Sequence, residues 1–384
     1  MANLFDYLDW RGDLTLTQDG FNPVDGLILS TLAYVVFDHI EPDVDFEKGV
    51  SIQKAAKLFS ALSEEEKRLR VPEDEKLLLK LAETQRFGHM KIHDYTESLD
   101  REQEEQFAAI TVELGNGFWF LGFRGTDYTV AGWKEDFNMS FKTGVPAQKE
   151  AVRYTNFVAA KTEGTLYLGG HSKGGNLAAF GAAFARPVVQ ARIAEVYNND
   201  GPGFLEEVIQ SEGYQRMYKK INTFIPQASL VGILLEHEED FSIIQSSQYS
   251  LLQHDPYSWE VMGPHFLHLQ EVTAGSRFMN EAVHGWLSDV DVAQREAFVD
   301  AIFEVLDVNE AATLQEMAET WIKNAGTVLK RIRDVDDETS HMIQETLSLL
   351  TDNLVKSAQN LFLEEREKWL ESVLEKIDQL KLKK

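Results

Sequence analysis

The spacing of apolar residues changes character along this chain, and the changes divide it. Between about residue 26 and residue 83 the apolar positions recur at helical spacing. Helices are predicted over Gly26 to Phe37, Ser51 to Leu62 and about Glu73 to Glu83, the last starting near Pro72. Asn22 or Asp25 is placed to cap the first, and Ser63 with Glu66 reads as a capping box. The first 25 residues are punctuated by Gly, Pro and Asn and read as turns, with Trp10 and Arg11 expected to pack them onto the body. At Lys91 the period shortens. Ile92 to Ser98 alternates weakly, as an edge strand does, and Gln106 to Val112 is a second strand. A hairpin at Leu114-Gly115-Asn116-Gly117 then leads to Phe118 to Phe123, a nearly continuous apolar run of the kind buried on both faces of a sheet.

From there strands and helices alternate, which predicts a mostly parallel sheet. A helix carrying Trp133 and Asp136 and another over about Ala147 to Ala160 lead to strands at Leu166 to Leu168, Ile193 to Asn198, Ile221 to Ile225 and Phe241 to Gln245, the last expected to end the sheet. Ligand sites on such sheets lie beyond the carboxyl ends of the strands, where Thr126, Ser172 and Asp200 all fall, with His254 in a late loop able to cover the same edge. After about Asp289 the pattern is helical again. Ile343, Leu347, Leu350, Leu354 and Leu361 follow a 3-4 spacing that suits either a helix packed on its own domain or a helix that pairs with a second copy or a partner.

The stretch Thr165 to Phe180 carries the chemistry. A short apolar run passes through Gly170-His171-Ser172-Lys173-Gly174 into small residues at helical spacing. This strand, tight turn and helix with a serine at the apex has the form G-x-S-x-G, the nucleophile elbow of α/β-hydrolases. Gly170 and Gly174 stand where side chains would collide with the neighbouring strand and helix, and the helix start directs backbone N–H groups at whatever sits on the serine.

Composition narrows the chemistry. Among 384 residues there is no cysteine, which removes disulfides, thiolate metal sites and a cysteine nucleophile. The formal net charge of −26 disfavours nucleic acid and anionic membranes as partners, since both demand clustered Lys and Arg. No apolar run reaches membrane-spanning length, and the mixed, early-acidic start Met1 to Asp6 does not read as a secretory signal, so a cytoplasmic protein is expected. No metal-ligand spacing and no phosphate loop occurs, Glu236 to Asp240 reads as a solvated acidic loop, and no cofactor is expected.

Together, Phe123-Arg124-Gly125-Thr126, Asp127, Trp133, Asp136 and Gly170 to Gly175 resemble the class 3 (fungal-type) lipases over roughly residues 90–260. Over most of the chain, to about residue 300, the sequence is closest to an uncharacterised bacterial family of lipase-like proteins. The segments that carry this second likeness are Tyr7 to Asp13, Asn22 to Asp25, Asp200 to Phe204, Ile225-Pro226-Gln227 and Gln253-His254-Asp255. The resemblance implies an α/β-hydrolase fold, a mostly parallel mixed sheet flanked by helices, over 1–288 with a helical N-terminal region at 1–90, and the helical pattern of the tail adds a C-terminal extension at 289–384. It also implies that Thr126 supplies one oxyanion N–H and that Asp136 holds the Thr126 hydroxyl. The N–H after the nucleophile, that of Lys173, is the other donor.

One position departs from the class 3 pattern: Ser229 stands where those lipases carry the catalytic Asp. The nearest suitable carboxylate is Asp200, one strand earlier, at a site that other α/β-hydrolases use. For the base, chain order admits His237, His254, His265, His268 and His284. His254 has the best neighbourhood, past the last expected strand with Pro256, Tyr257 and Trp259 beside it. His171 is expected to pack or to line the pocket. The expected function is therefore a serine esterase or lipase using Ser172, His254 and Asp200 on a small-molecule or lipid ester. The run Leu230 to Leu235 reads equally as a lid or as a core helix. The competing expectation is a non-catalytic scaffold that acts through its helical tail, as a homodimer or with a partner.

Overall fold

The computed structural model describes residues 2–273, apart from 39–45, 64, 101–104, 127–137, 140–141, 230, 233–236 and 249, and isolated positions beyond. The helix carrying Trp133 and Asp136, most of the run Leu230 to Leu235 and the C-terminal extension lie outside the described residues.

The first 25 residues are more ordered than their turn-rich composition suggests. Asn3 caps α1 (Leu4–Arg11), and Asp6 reaches back to the Asn3 N–H at 2.8 Å. The same device starts α2 (Pro23–Leu32), where Asn22 caps and Asp25 bonds the Asn22 N–H at 3.0 Å. Trp10 is 46% exposed, since α1 turns Leu4, Tyr7 and Leu8 inward, and Arg11 pairs with Asp19. Ser51 caps α3 (Ile52–Ser60). Ser63 and Glu66 do bond each other at 2.8 Å, but no helix follows them, and α4 (Pro72–Glu83) starts at its own proline.

Among the described residues the main sheet has nine strands whose spatial order follows the chain. The strands β1 (Val50–Ser51), β2 (Lys91–Asp100), β3 (Glu105–Gly115) and β4 (Phe118–Phe123) pair antiparallel in turn. The β3–β4 hairpin turns through Asn116 and Gly117 at positive φ, as its Asn-Gly signal predicts. Parallel pairing then carries the sheet through β5 (Thr165–His171), β6 (Ile193–Asn199), β7 (Ile221–Pro226) and β8 (Phe241–Ile244). Beyond a small hairpin of β9 (Val261–Met262) and β10 (His265–Phe266), β11 (His268–Leu269) adds antiparallel to β8. β8 therefore does not end the sheet. A two-residue strand is too short to show a period, and β11 owes its place to the register with β8.

Each face of the sheet has its own core. Phe120 and Tyr197 point to the side covered by α1 to α4, while Leu121, Phe123, Leu166 and Leu168 point to α5 (Pro146–Lys161) and α6 (Lys173–Phe184). The alternation along each strand sends successive side chains to opposite faces, so an apolar run such as Phe118 to Phe123 serves both. The result is an α/β architecture, a mixed sheet flanked by helices on both faces.

A buried ion pair ties the N-terminal helices together. Arg86 donates through Nε and Nη2 to the two oxygens of Asp25 at 2.7 and 2.5 Å, and both side chains are fully buried. Its remaining donors reach the carbonyls of Leu14, Asp19 and Gly20, while the Tyr7 hydroxyl donates to Asp25 at 2.8 Å. Removing one partner would strand the other charge without water. Arg86→Ala is therefore expected to lower stability by about 3–5 kcal/mol, measured as a shift in the urea unfolding midpoint.

Candidate functional site

The site is built at the carboxyl ends of β4, β5 and β6, three adjacent parallel strands. Ser172, between β5 and α6, sits at φ 59 and ψ −135, outside the regions an L-residue adopts freely. The neighbours over-determine that strain. A Cβ on Gly170 would overlap the backbone of Gly174, and one on Gly174 would overlap the Phe123 carbonyl, so elbow, helix and β4 touch through bare backbone. The Ser172 N–H bonds the Asn199 carbonyl at 2.9 Å, and its own carbonyl accepts from Gly175 at 2.8 Å. Ser172 itself is partly exposed, at the N-terminus of a twelve-residue helix.

Two loops close on the elbow. A side chain on Gly125 would lie 3.2 Å from the Ser172 Cβ, which places the Arg124-Gly125-Thr126 segment beside the serine. On the other side a side chain on Gly201 would lie 2.6 Å from the Ser172 carbonyl oxygen, so the Asp200-Gly201 turn packs on the elbow directly. Asn176 of α6 fastens the next residues by donating to the carbonyls of Pro202 and Gly203, each at 3.0 Å. Lys173, one residue past the serine, turns its side chain inward, where Nζ donates to the Gln106 carbonyl and Oε1 at 3.1 and 3.0 Å.

Asp200 is fully buried at φ 55, a left-handed conformation that Asp tolerates better than most residues. Its Oδ2 accepts from His254 Nδ1 at 2.6 Å. Its Oδ1 accepts from the Ser229 hydroxyl at 2.5 Å and from the Gly232 N–H at 3.1 Å. Ser229, just past β7, thus bonds the carboxylate that follows the neighbouring strand β6. The His254 ring is 29% exposed, and its centroid lies 4.6 Å from that of His171, the residue preceding the serine.

The other candidates lie elsewhere. His265 and His268 are exposed, on β10 and β11. His237 bonds Glu239 and the Gly232 carbonyl. Asp136 and His284 lie outside the described residues. The loop around Glu239 is not uniformly solvated as its acidity suggests. Glu239 is 4% exposed, because it is bonded by Tyr214, Thr223 of β7 and His237 rather than by water. Among the described residues no cluster of His, Cys, Asp and Glu could hold a metal ion, and no helix is long and apolar enough to cross a membrane.

Residues 81–304 match the model of the Mbeg1-like family. That is more than half of the chain. The chain belongs to the Mbeg1-like family. No curated protein matches it. A solved structure titled as the crystal structure of M37 lipase is 13% identical, covers 55% of this chain and 69% of its own, and superposes with a TM-score of 0.34, a likeness too distant to carry an argument about the site. Thr126, Ser172, Lys173, Asp200 and His254 all lie within the matched residues.

Sequence reasoning missed the layer beneath the elbow. His171 is buried and donates from Nε2 to the His254 carbonyl at 2.7 Å, while its Nδ1 accepts from the Tyr34 hydroxyl at 3.0 Å. The Arg70 guanidinium lies 3.8 Å from the centre of the Tyr34 ring and bonds Asp74, which accepts from Tyr257. Burial, with the nearby charges of His254 and Arg70, holds His171 well below the usual imidazole range. Since the unfolded chain binds that proton more readily, the stability contributed by neutral His171 is present above about pH 6.5 and lost as pH falls below it. The wild type should lose up to about 1.4 kcal/mol per pH unit more than a His171→Gln variant below that point, as urea midpoints at pH 7.5 and 5.5 will show.

Proposed function

We propose that this protein is a serine hydrolase acting on acyl esters, of a small molecule or a lipid, with Ser172 as nucleophile, His254 as base and Asp200 as the acid that orients it. The observation that carries the reading is the hydrogen bond from His254 Nδ1 to the buried Asp200 carboxylate, beside a serine held at a strained elbow. With Nδ1 as the donor, Nε2 is the ring atom left to accept a proton. The hydroxyl of Ser172 attacks the ester carbonyl as His254 takes its proton. The imidazolium then formed is stabilised by Asp200 and returns the proton to the leaving alcohol. Water repeats the sequence on the acyl-enzyme.

The developing oxyanion would be met by the N–H of Lys173, at the start of α6, and by that of Thr126, in the segment beside the Ser172 Cβ. Asp136 is proposed to hold the Thr126 hydroxyl, as the class 3 resemblance implies. Ser229 and Gly232 hold the Asp200 carboxylate in place by donating to its second oxygen.

A fluorophosphonate probe tests the reading. The wild type should label, and Ser172→Ala and His254→Ala should not. Asp200→Asn, which leaves the space filled but favours the wrong imidazole tautomer, should lower kcat on a short acyl ester by about 10⁴-fold. A wild type that neither labels nor hydrolyses esters of any chain length would overturn the proposal.

A further inference from the structure

The Gly232 N–H that supports Asp200 comes from an irregular turn after β7, and something must hold that turn in place. The Gly232 amide is shared between Asp200 Oδ1 at 3.1 Å and Ser229 Oγ at 2.9 Å. The Gly232 carbonyl faces His237 Nε2 at 2.8 Å, and the other ring nitrogen, Nδ1, faces Glu239 Oε1 at 2.9 Å. Both partners of the ring are acceptors. A neutral imidazole carries one N–H and can serve only one of them; two require the imidazolium.

Glu239 is fixed in the acceptor role. Thr223 of β7 donates to its Oε1 at 2.5 Å, and Tyr214, on the helix Glu212–Met217, donates to its Oε2. Burial alone would push this carboxyl up, but the bonds from His237, Thr223 and Tyr214 hold it below the usual range. The side chains of His237 and Glu239 are 5% and 1% exposed. The groups facing the pair are Glu238 on the same loop, Tyr214 from its helix, the Phe241 ring at 6.2 Å, and Asp200 beyond the Gly232 turn.

We infer that His237 is a positioning residue for the acid of this site: a buried imidazolium, anchored to the sheet through Glu239, that holds the Gly232 turn against Asp200. The inference rests on the reading of Asp200 as the acid. It gives the site two histidines with opposite requirements. His254 must be neutral to accept the serine proton, and His237 must be charged to hold both acceptors. A neutral ring would leave the Gly232 carbonyl or Glu239 without a donor on that side and loosen the turn behind Asp200. The loss falls on kcat rather than KM, because nothing in this chain of contacts places His237 against substrate.

The decisive measurement uses the full chain labelled with ¹⁵N-histidine, with His237→Gln to assign the resonances. Long-range ¹H–¹⁵N spectra at neutral pH should show both ring nitrogens of His237 protonated; one unprotonated nitrogen overturns the inference. On a p-nitrophenyl ester, with Ser172→Ala as the blank, His237→Gln should lower kcat and leave KM in place, whereas Glu239→Gln should keep the wild-type kcat, because the Gln amide donates to Nδ1 and a neutral ring then satisfies both partners. An unchanged kcat in His237→Gln, or an equal loss in Glu239→Gln, overturns the positioning role. If the wild type turns over no ester, the hydrolase reading fails by itself. The His254 Nδ1 proton resonance then decides: it should shift and broaden in His237→Gln, and an unaltered resonance overturns the inference.

Discussion

The geometry of this protein depends on one close approach, the contact of bare backbone between Gly170, Gly174 and the end of β4. It allows α6 to start directly over β5 and forces Ser172 into a conformation that no free serine prefers. Strain of this kind persists only where the surroundings over-determine it, and here β4, β6 and α6 all do. Because the elbow is the junction, the residues after β4 and after β6 arrive beside the serine as a matter of strand order rather than of long loops.

That strand order also bears on the surroundings of Asp200. β6 and β7 are parallel neighbours, so the first residues past each end lie side by side. A carboxylate after β6 and a hydroxyl after β7 can therefore meet, as Asp200 and Ser229 do. The Ser229 hydroxyl thus serves as a donor to the Asp200 carboxylate. A buried carboxylate needs such donors, since its oxygens have given up their bonds to water.

Beneath the elbow, polar side chains are buried in chains of bonded partners. Tyr34, His171 and the His254 carbonyl form one. Arg70, Asp74 and Tyr257 form another. Arg86 and Asp25 knit the N-terminal helices farther out. These segments are distant in sequence, and α1 to α4 form one wall of the core against the same sheet that carries the site. The N-terminal region is thus part of the scaffold that aims the His254 loop.

What could be read from the sequence alone was local. The elbow, the Asn-Gly hairpin, the Asn22–Asp25 cap and the buried run of β4 each depend on preferences spread over a few adjacent residues, and those preferences survive in the fold. Where local signals competed the reading went astray: the Asn3–Asp6 cap was hidden by a turn-rich composition, and the Ser63–Glu66 pair formed without a helix. The tail after residue 289 and Asp136 remain expectations. Five histidines were open to chain order, and only the tertiary structure set the ring of His254 against Asp200, across 54 residues. It also buried Glu239, which composition put in water, and turned Ser229 and Gly232 onto the acid. Periodicity reports which face of an element is buried. Which side chains meet across elements is decided by strand order and register, and these emerge only when the whole sheet is assembled.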